Sequence, residues 1–435
     1  MKLNIKNTIF ISVAMVIWGI YLQLIDTTVQ IVVVKNLGQT EEVKGIILGI
    51  IGFLPIVLFP LFAKLSDNTK TKIGRRAPFI LTGTVIAVIM IITAGVFADR
   101  GSVLGYAVFF MLSYVGISIY RPAATAILPD ITPKPLRSKA NAIKGIINAF
   151  GGLIVLALVA VLGDNRILSI YIVSALFMAV ILVLYLTNIN EPKLVREAEL
   201  AMAEYEGAMK DGQTLSDDEK PFDDNGPKGY KYVSAMPKSE RKSLFLILSS
   251  MFFITFGYGA MIATYQNYAH EVWGMTNSAA TVFMLLIGAG GLVSTPFISK
   301  LSDTKGRKYT IVMGMIIFMA GAAAIIFFEN IAAMRYIGFT VMGSGYAFIT
   351  IISFPMVLEL SNTQNNGAFT SYYTLAFTIP KAVTAYTSGV LLTRIGYSIL
   401  FPYTLFFIIA GLVLMVFVRH GNVVEIKRNK SEEII

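Results

Sequence analysis

Asp26 is the one carboxyl group that falls well inside a long apolar stretch of this 435-residue chain. Three bases, Arg121, Lys144 and Lys381, fall at similar depth in other stretches. Ionisable groups in hydrocarbon are costly unless paired or hydrated, so they mark either an ion pair or a water-lined path. Burial raises the pKa of a carboxyl and a nearby cation lowers it, and a group balanced between the two can take up and release a proton. When ionised, it can also accept hydrogen bonds from sugar hydroxyls. The alternative reading of Asp26 is a structural ion pair with Lys381 or Arg121. The two readings overlap, because a pair that opens and closes can itself couple a proton.

Polar and aromatic side chains accompany these charges. Trp18, Tyr21, Gln23 and Gln30 share the stretch of Asp26, and Asn148 follows Lys144 by one helical turn. In the second half stand Tyr265 and Gln266, then Tyr372 and Tyr373. Amide and carboxyl groups beside an aromatic face are what a sugar ring requires, so these are the candidate substrate-binding residues. Tyr and Trp also form belts at membrane interfaces, which is the competing reading for each of them. Enzyme chemistry finds no foothold. The two histidines, His270 and His420, have no carboxylate at metal-ligand spacing, there is no cysteine, and no phosphate-cradling glycine loop with a lysine follows a strand. Neither a metal nor an organic cofactor is expected.

The elements that must hold these residues are membrane helices. Apolar residues make up 55% of the chain and charged ones 14%, with a mean hydropathy of +0.69. Soluble domains carry about 25% charged residues. A bilayer core of about 30 Å needs roughly 20 apolar residues in a helix. Runs of that length lie at about 8–34, 44–63, 77–98, 103–128, 140–162, 167–187, 243–268, 278–299, 309–327, 331–358, 368–393 and 398–418. Backbone in lipid must satisfy its own hydrogen bonds, so each run is predicted to be helical. The net charge of +10 sits mostly in short gaps between runs, which favours basic cytoplasmic loops over nucleic-acid binding. Alternate loops carry twelve bases against six, placing both termini in the cytoplasm. Lys35 and Lys44 fall among the outer-loop bases on this reading.

The chain divides six helices and six. Residues 190–242 hold 12 of the 26 acids and 9 of the 36 bases, with Asp217, Asp218, Glu219, Asp223 and Asp224 clustered. They read as a solvated cytoplasmic linker, helical around 196–209. An N-terminal bundle over 1–189 and a C-terminal bundle over 243–420 flank it, and 421–435 forms a cytoplasmic tail. An internal repeat supports the division. Leu65-Ser66-Asp67 followed by Gly74-Arg75-Arg76 returns as Leu301-Ser302-Asp303 followed by Gly306-Arg307-Lys308.

With these motifs the chain resembles the major facilitator superfamily. It resembles most its glycoside–pentoside–hexuronide:cation symporter group, near the sucrose/proton symporter branch. The residues that carry the likeness are Leu65 to Ile80, with an Asp, six residues and then Gly-Arg-Arg, and Arg121-Pro122 through Leu128-Pro129-Asp130 to Ala142. Gly367 through Pro380 to Gly389 adds the eleventh-helix pattern. The resemblance implies an all-α membrane protein of twelve transmembrane helices in two six-helix halves, the major facilitator fold. It also implies a sugar carrier working by alternating access, with a disaccharide or glycoside as substrate.

Residue by residue, Asp26 resembles the group's first-helix sugar-binding aspartate, and Lys381 a lysine near the cation site of melibiose-type members. Asp67, Arg75 and Arg76, with Gly74 and the second copy Asp303, Gly306 and Arg307, would form a cytoplasmic gate. Melibiose-type carriers place acids for sodium on the second helix, and 44–63 has none. Plant-type sucrose carriers place a proton-binding acid in the fourth helix, and 111–120 has none. The expected coupling ion is therefore a proton at Asp26, with Lys381 and Arg121 as its partners, and sodium is the less favoured ion. The expected partners are the bilayer and a small sugar, the chain working as a monomer in the cell membrane. Sugar uniport or export of another solute is the alternative within transport, and a non-transporting sensor or scaffold using the acidic linker is the alternative outside it. Deleting residues 200–230 separates the last two classes: a transporter keeps solute uptake, whereas a sensor loses its output.

Overall fold

The computed structural model describes residues 5–132, 137–163, 166–198, 200, 230–361 and 365–422. The acidic cluster at 217–224, most of the 190–242 linker, Pro133, Pro135 and the tail beyond 422 lie outside the described residues. Among those described there is no strand. Twelve helices are long and apolar enough to cross a membrane, so the protein is an integral multi-pass membrane protein. They are α1 (Ile5–Gln30), α2 (Glu41–Asn68), α3 (Ala77–Asp99), α4 (Val103–Ile131), α5 (Arg137–Leu162) and α6 (Ile167–Asn188). In the second half come α7 (Lys238–Trp273), α8 (Asn277–Lys305), α9 (Arg307–Phe327), α10 (Ala332–Leu358), α11 (Asn366–Ile395) and α12 (Leu400–Val416).

Several helices overrun the apolar stretches that define them, because polar residues continue the backbone ladder into water. α2 starts at Glu41, where the side chain of the N-cap Thr40 accepts from Val43 N–H, and α4 starts where Ser102 accepts from Gly105 N–H. Such caps satisfy donors that the first turn leaves open. α4 stays helical through Arg121-Pro122 to Ile131. α1 does something its sequence does not announce: beyond Gln30 it widens into a π-helical segment, Ile31–Asn36. In the linker, residues 191–198 and 200 are helical, and the rest of the expected stretch 196–209 lies outside the described residues.

The chain folds into two compact units, Met1–Lys220 with Thr276–Ser278, and Pro221–Met275 with Ala279–Ile435. Within the first, α1 packs on α4, α5 and α6, and α3 packs on α4 and α6. Within the second, α7 packs on α10, α11 and α12, and α9 packs on α10 and α12. Adding six to each helix number of the first scheme gives the second. The repeat seen in the loop motifs is thus also a repeat in packing, as transporters built from duplicated bundles display.

Lys44 departs from its expected place in an outer loop. It is fully buried in the first turn of α2 and bonds Glu41, three residues earlier and itself 4% exposed. A buried lysine needs such a partner, and the i, i+3 spacing on a helix supplies one.

Candidate functional site

The first cluster lies where α1, α4 and α5 meet. A Cβ at Gly19 would fall on the carbonyl oxygen of Asn148, so α1 and α5 touch backbone to backbone there. This close approach sets Trp18 and Asn148 at one level. The guanidinium carbon of Arg121 lies over the Trp18 ring, 4.0 Å from its centroid, and 4.9 Å from that of Phe59. A cation over an aromatic face is favourable, more so away from water. Arg121 Nε and Asn148 Oδ1 are buried with no hydrogen-bond partner. Toward the other end of α1, Asp26 is partly exposed, and Gln30 donates to its backbone carbonyl. Tyr114 of α4 stands within electrostatic reach of both Arg121 and Asp26. Among the described residues Arg121 has no ion pair.

Other α1 candidates are placed differently. Tyr21 is 0% exposed, its hydroxyl shared with Ser113 Oγ at 2.5 Å and donating to the carbonyl of Phe110 at 3.3 Å. Its ring packs against those of Phe110 and Tyr114. Tyr21 therefore joins α1 to α4 inside the bundle. Gln23 donates to Thr27 Oγ1 at 2.6 Å.

In the second unit the candidates are spread over separate packings. Tyr265 is fully buried among the rings of Trp273, Phe283 and Phe339, and Gln266 donates to Thr281 Oγ1 at 3.1 Å. Tyr372 packs on Phe369, while the Tyr373 hydroxyl meets Ser353 Oγ at 2.7 Å. Lys381 of α11 packs against α7 at Gly259. Tyr258, one of the seventh-helix aromatic residues, stacks at 3.6 Å on Tyr346, which the sequence did not single out, between α7 and α10.

The loop motif forms a dense ionic cluster inside the first unit. Arg76 meets Asp67 at 2.6 Å, Asp130 at 3.0 Å and Ser66 Oγ at 3.0 Å, and Arg75 meets Asp130 at 2.9 Å. Burial disfavours the Arg76 charge. The hydrogen bonds and attraction from Asp130, then Asp67, outweigh it and hold its pKa above the ordinary arginine value. Gly74, at φ +114°, turns the chain into α3 in a conformation costly for other residues. The turn presents the N–H groups of Arg75, Arg76 and Ala77 to the carboxylate of Glu191, at 2.9–3.1 Å. A carboxylate is favoured there because the first N–H groups and dipole of α3 converge on it.

The second copy is built more loosely. Arg307 meets Glu359 at 2.7 Å and donates to the carbonyl of Pro355 at 2.8 Å. Gly306 has φ +91°, and Asn422 stands where Glu191 stands in the first copy, its Oδ1 accepting from Lys308 N–H at 3.1 Å. Lys308 Nζ turns to the carbonyls of Val416 and Val418, and among the described residues Asp303 has no partner. Asp130, Glu359, Glu191 and Asn422 belong to these clusters although sequence reasoning did not assign them. Asp130 and Glu359 were visible as acids at equivalent helix ends. Nothing local marks Glu191 or Asn422.

The sequence model described as Major Facilitator Superfamily matches residues 9–380 and 247–433. Curated relatives include a lactose permease of Lactobacillus helveticus, 30% identical over 92 residues, which are 20% of this chain and 14% of that protein. A probable polyol transporter of Arabidopsis thaliana is 24% identical over 158 residues, 35% of this chain and 31% of the relative. These alignments span less than a third of the relatives' lengths. Among solved structures, a bacterial homologue of the iron transporter ferroportin has a TM-score of 0.67 at 14% identity, covering 95% of this chain and 99% of the other. The D-xylose-proton symporter has a TM-score of 0.65 at 14% identity, covering 95% and 98%. At such identities the likeness is one of fold. Together with the family match over most of its length and the twelve helices, this establishes that the chain belongs to the Major Facilitator Superfamily.

Proposed function

We propose that this protein is a secondary active sugar transporter, carrying a disaccharide or glycoside by alternating access with proton symport through Asp26. The observation that carries the reading is the group of polar side chains within an apolar bundle: Trp18, Arg121, Asn148 and, further along α1, Asp26. An aromatic face, an amide and a carboxylate suit a ring with hydroxyl groups, and a carboxylate inside a span suits a proton. The relatives named for lactose, polyol and glucose transport support the sugar class. The long-spaced loop motif at Asp67–Arg76 supports the glycoside–pentoside–hexuronide branch, and the basic loops support cytoplasmic termini in the cell membrane.

Uptake of a panel of radiolabelled sugars into vesicles, under an imposed pH or sodium gradient, tests the reading. At least one glycoside accumulates against its gradient when the outside is acidic, and a sodium gradient does not replace the proton. Failure of every sugar in both gradients and in exchange overturns the sugar assignment.

A further inference from the structure

The basic-loop end of the first unit holds a second ionic group, of one sign only. Arg121 lies ten residues before the end of α4 and Lys144 seven residues into α5. At a rise of 1.5 Å per residue they sit about 15 and 10 Å inside the helix ends. Lys144 is partly buried, within electrostatic range of Arg121 and one helical turn before Asn148, whose backbone meets α1 beside Trp18. Among the described residues neither cation has an ion pair or a hydrogen bond, and the buried Arg121 Nε is unpartnered. In the loop cluster, by contrast, both arginines face carboxylates. Like charges held together in an apolar bundle repel, and an anion bound between them would relieve that cost.

Counting charge narrows the ligand. A sugar carboxylate would neutralise one cation and leave the other exposed to the apolar surroundings. A phosphate monoester carries about −1.5 to −2 near neutral pH and so matches the pair. The planar guanidinium suits two phosphate oxygens and the ammonium suits a third as a point charge. Asn148 Oδ1, one turn from Lys144 and buried without a partner, is placed to accept a hydroxyl of the attached sugar. Trp18, beneath Arg121, supplies a ring face next to it.

We infer that Arg121 and Lys144 bind the phosphate group of a phosphorylated sugar, with Asn148 and Trp18 holding the sugar beside it. The inference rests on the sugar-transport reading and narrows its substrate.

Isothermal titration of the full-length protein in detergent tests it, with trehalose 6-phosphate, glucose 6-phosphate, the neutral parent sugars, glucuronate and inorganic phosphate as probes. At least one phosphorylated sugar binds roughly tenfold or more tightly than its neutral parent. That ratio falls to near one in Lys144→Gln and returns in Lys144→Arg, which separates charge from any folding defect. Wild-type protein that binds neutral and phosphorylated sugars alike overturns the inference and leaves sugar transport standing. Preference for glucuronate over both phosphates overturns it as well. Inorganic phosphate binding as tightly as the sugar phosphates, with both lost in Lys144→Gln, upholds the anion pair and brings down the sugar reading. Binding of no probe overturns both.

Discussion

Asp26→Asn abolishes gradient-driven accumulation while leaving exchange of labelled for unlabelled sugar in place. For symport of one proton, each unit of pH difference is worth about 1.4 kcal/mol, a tenfold concentration ratio. Wild-type vesicles under one unit are therefore expected to approach tenfold accumulation, and the variant a ratio of about one. Asparagine keeps the size and an acceptor oxygen but has no proton to exchange, so hydrogen bonding to substrate survives in part. Counterflow in the same vesicles separates lost coupling from lost binding. Equal accumulation by the two proteins would remove Asp26 from the mechanism.

Asp130→Ala is expected to lower stability by about 1–3 kcal/mol, since it strips a carboxylate from two arginines at once. Arg76 is only 4% exposed, and Asp67, its other carboxylate, lies at the surface where screening weakens it. The equivalent change in the second copy, Glu359→Ala, is expected to cost about 1 kcal/mol or less, the range of exposed pairs. Glu359 is more accessible, and Arg307 keeps the Pro355 carbonyl. Thermal unfolding of the two variants in one detergent measures the difference. Equal losses would show that the two loop motifs are energetically alike despite their different partners.

The twelve helices were legible because lipid leaves a backbone no alternative, and runs such as 44–63 advertise themselves. The loop motif was legible because it occurs twice. Side-chain environments were another matter. Tyr21 and Tyr265 share a residue type with any sugar-stacking tyrosine, yet one spends its hydroxyl on Ser113 and the other packs among Trp273, Phe283 and Phe339. A helix shows which residues share its own face, but not which face of a neighbour they meet. Arg121 and Lys144 were each recognisable as deep cations, but their adjacency depends on how α4 and α5 pack. Lys44 read as a loop base because its partner Glu41 looked like loop as well. The π segment Ile31–Asn36 has no composition of its own: four aliphatic residues, a lysine and an asparagine would serve equally in an α-helix.

Glu191 changes where the first bundle ends. Counted by polarity, it is an early residue of a charged connector, yet its carboxylate closes the start of a helix more than a hundred positions upstream. The connector is thus rooted in the bundle that it leaves. Shortening it from the near side would reach through that root and loosen α3, whereas trimming from residue 200 onward leaves the anchor in place.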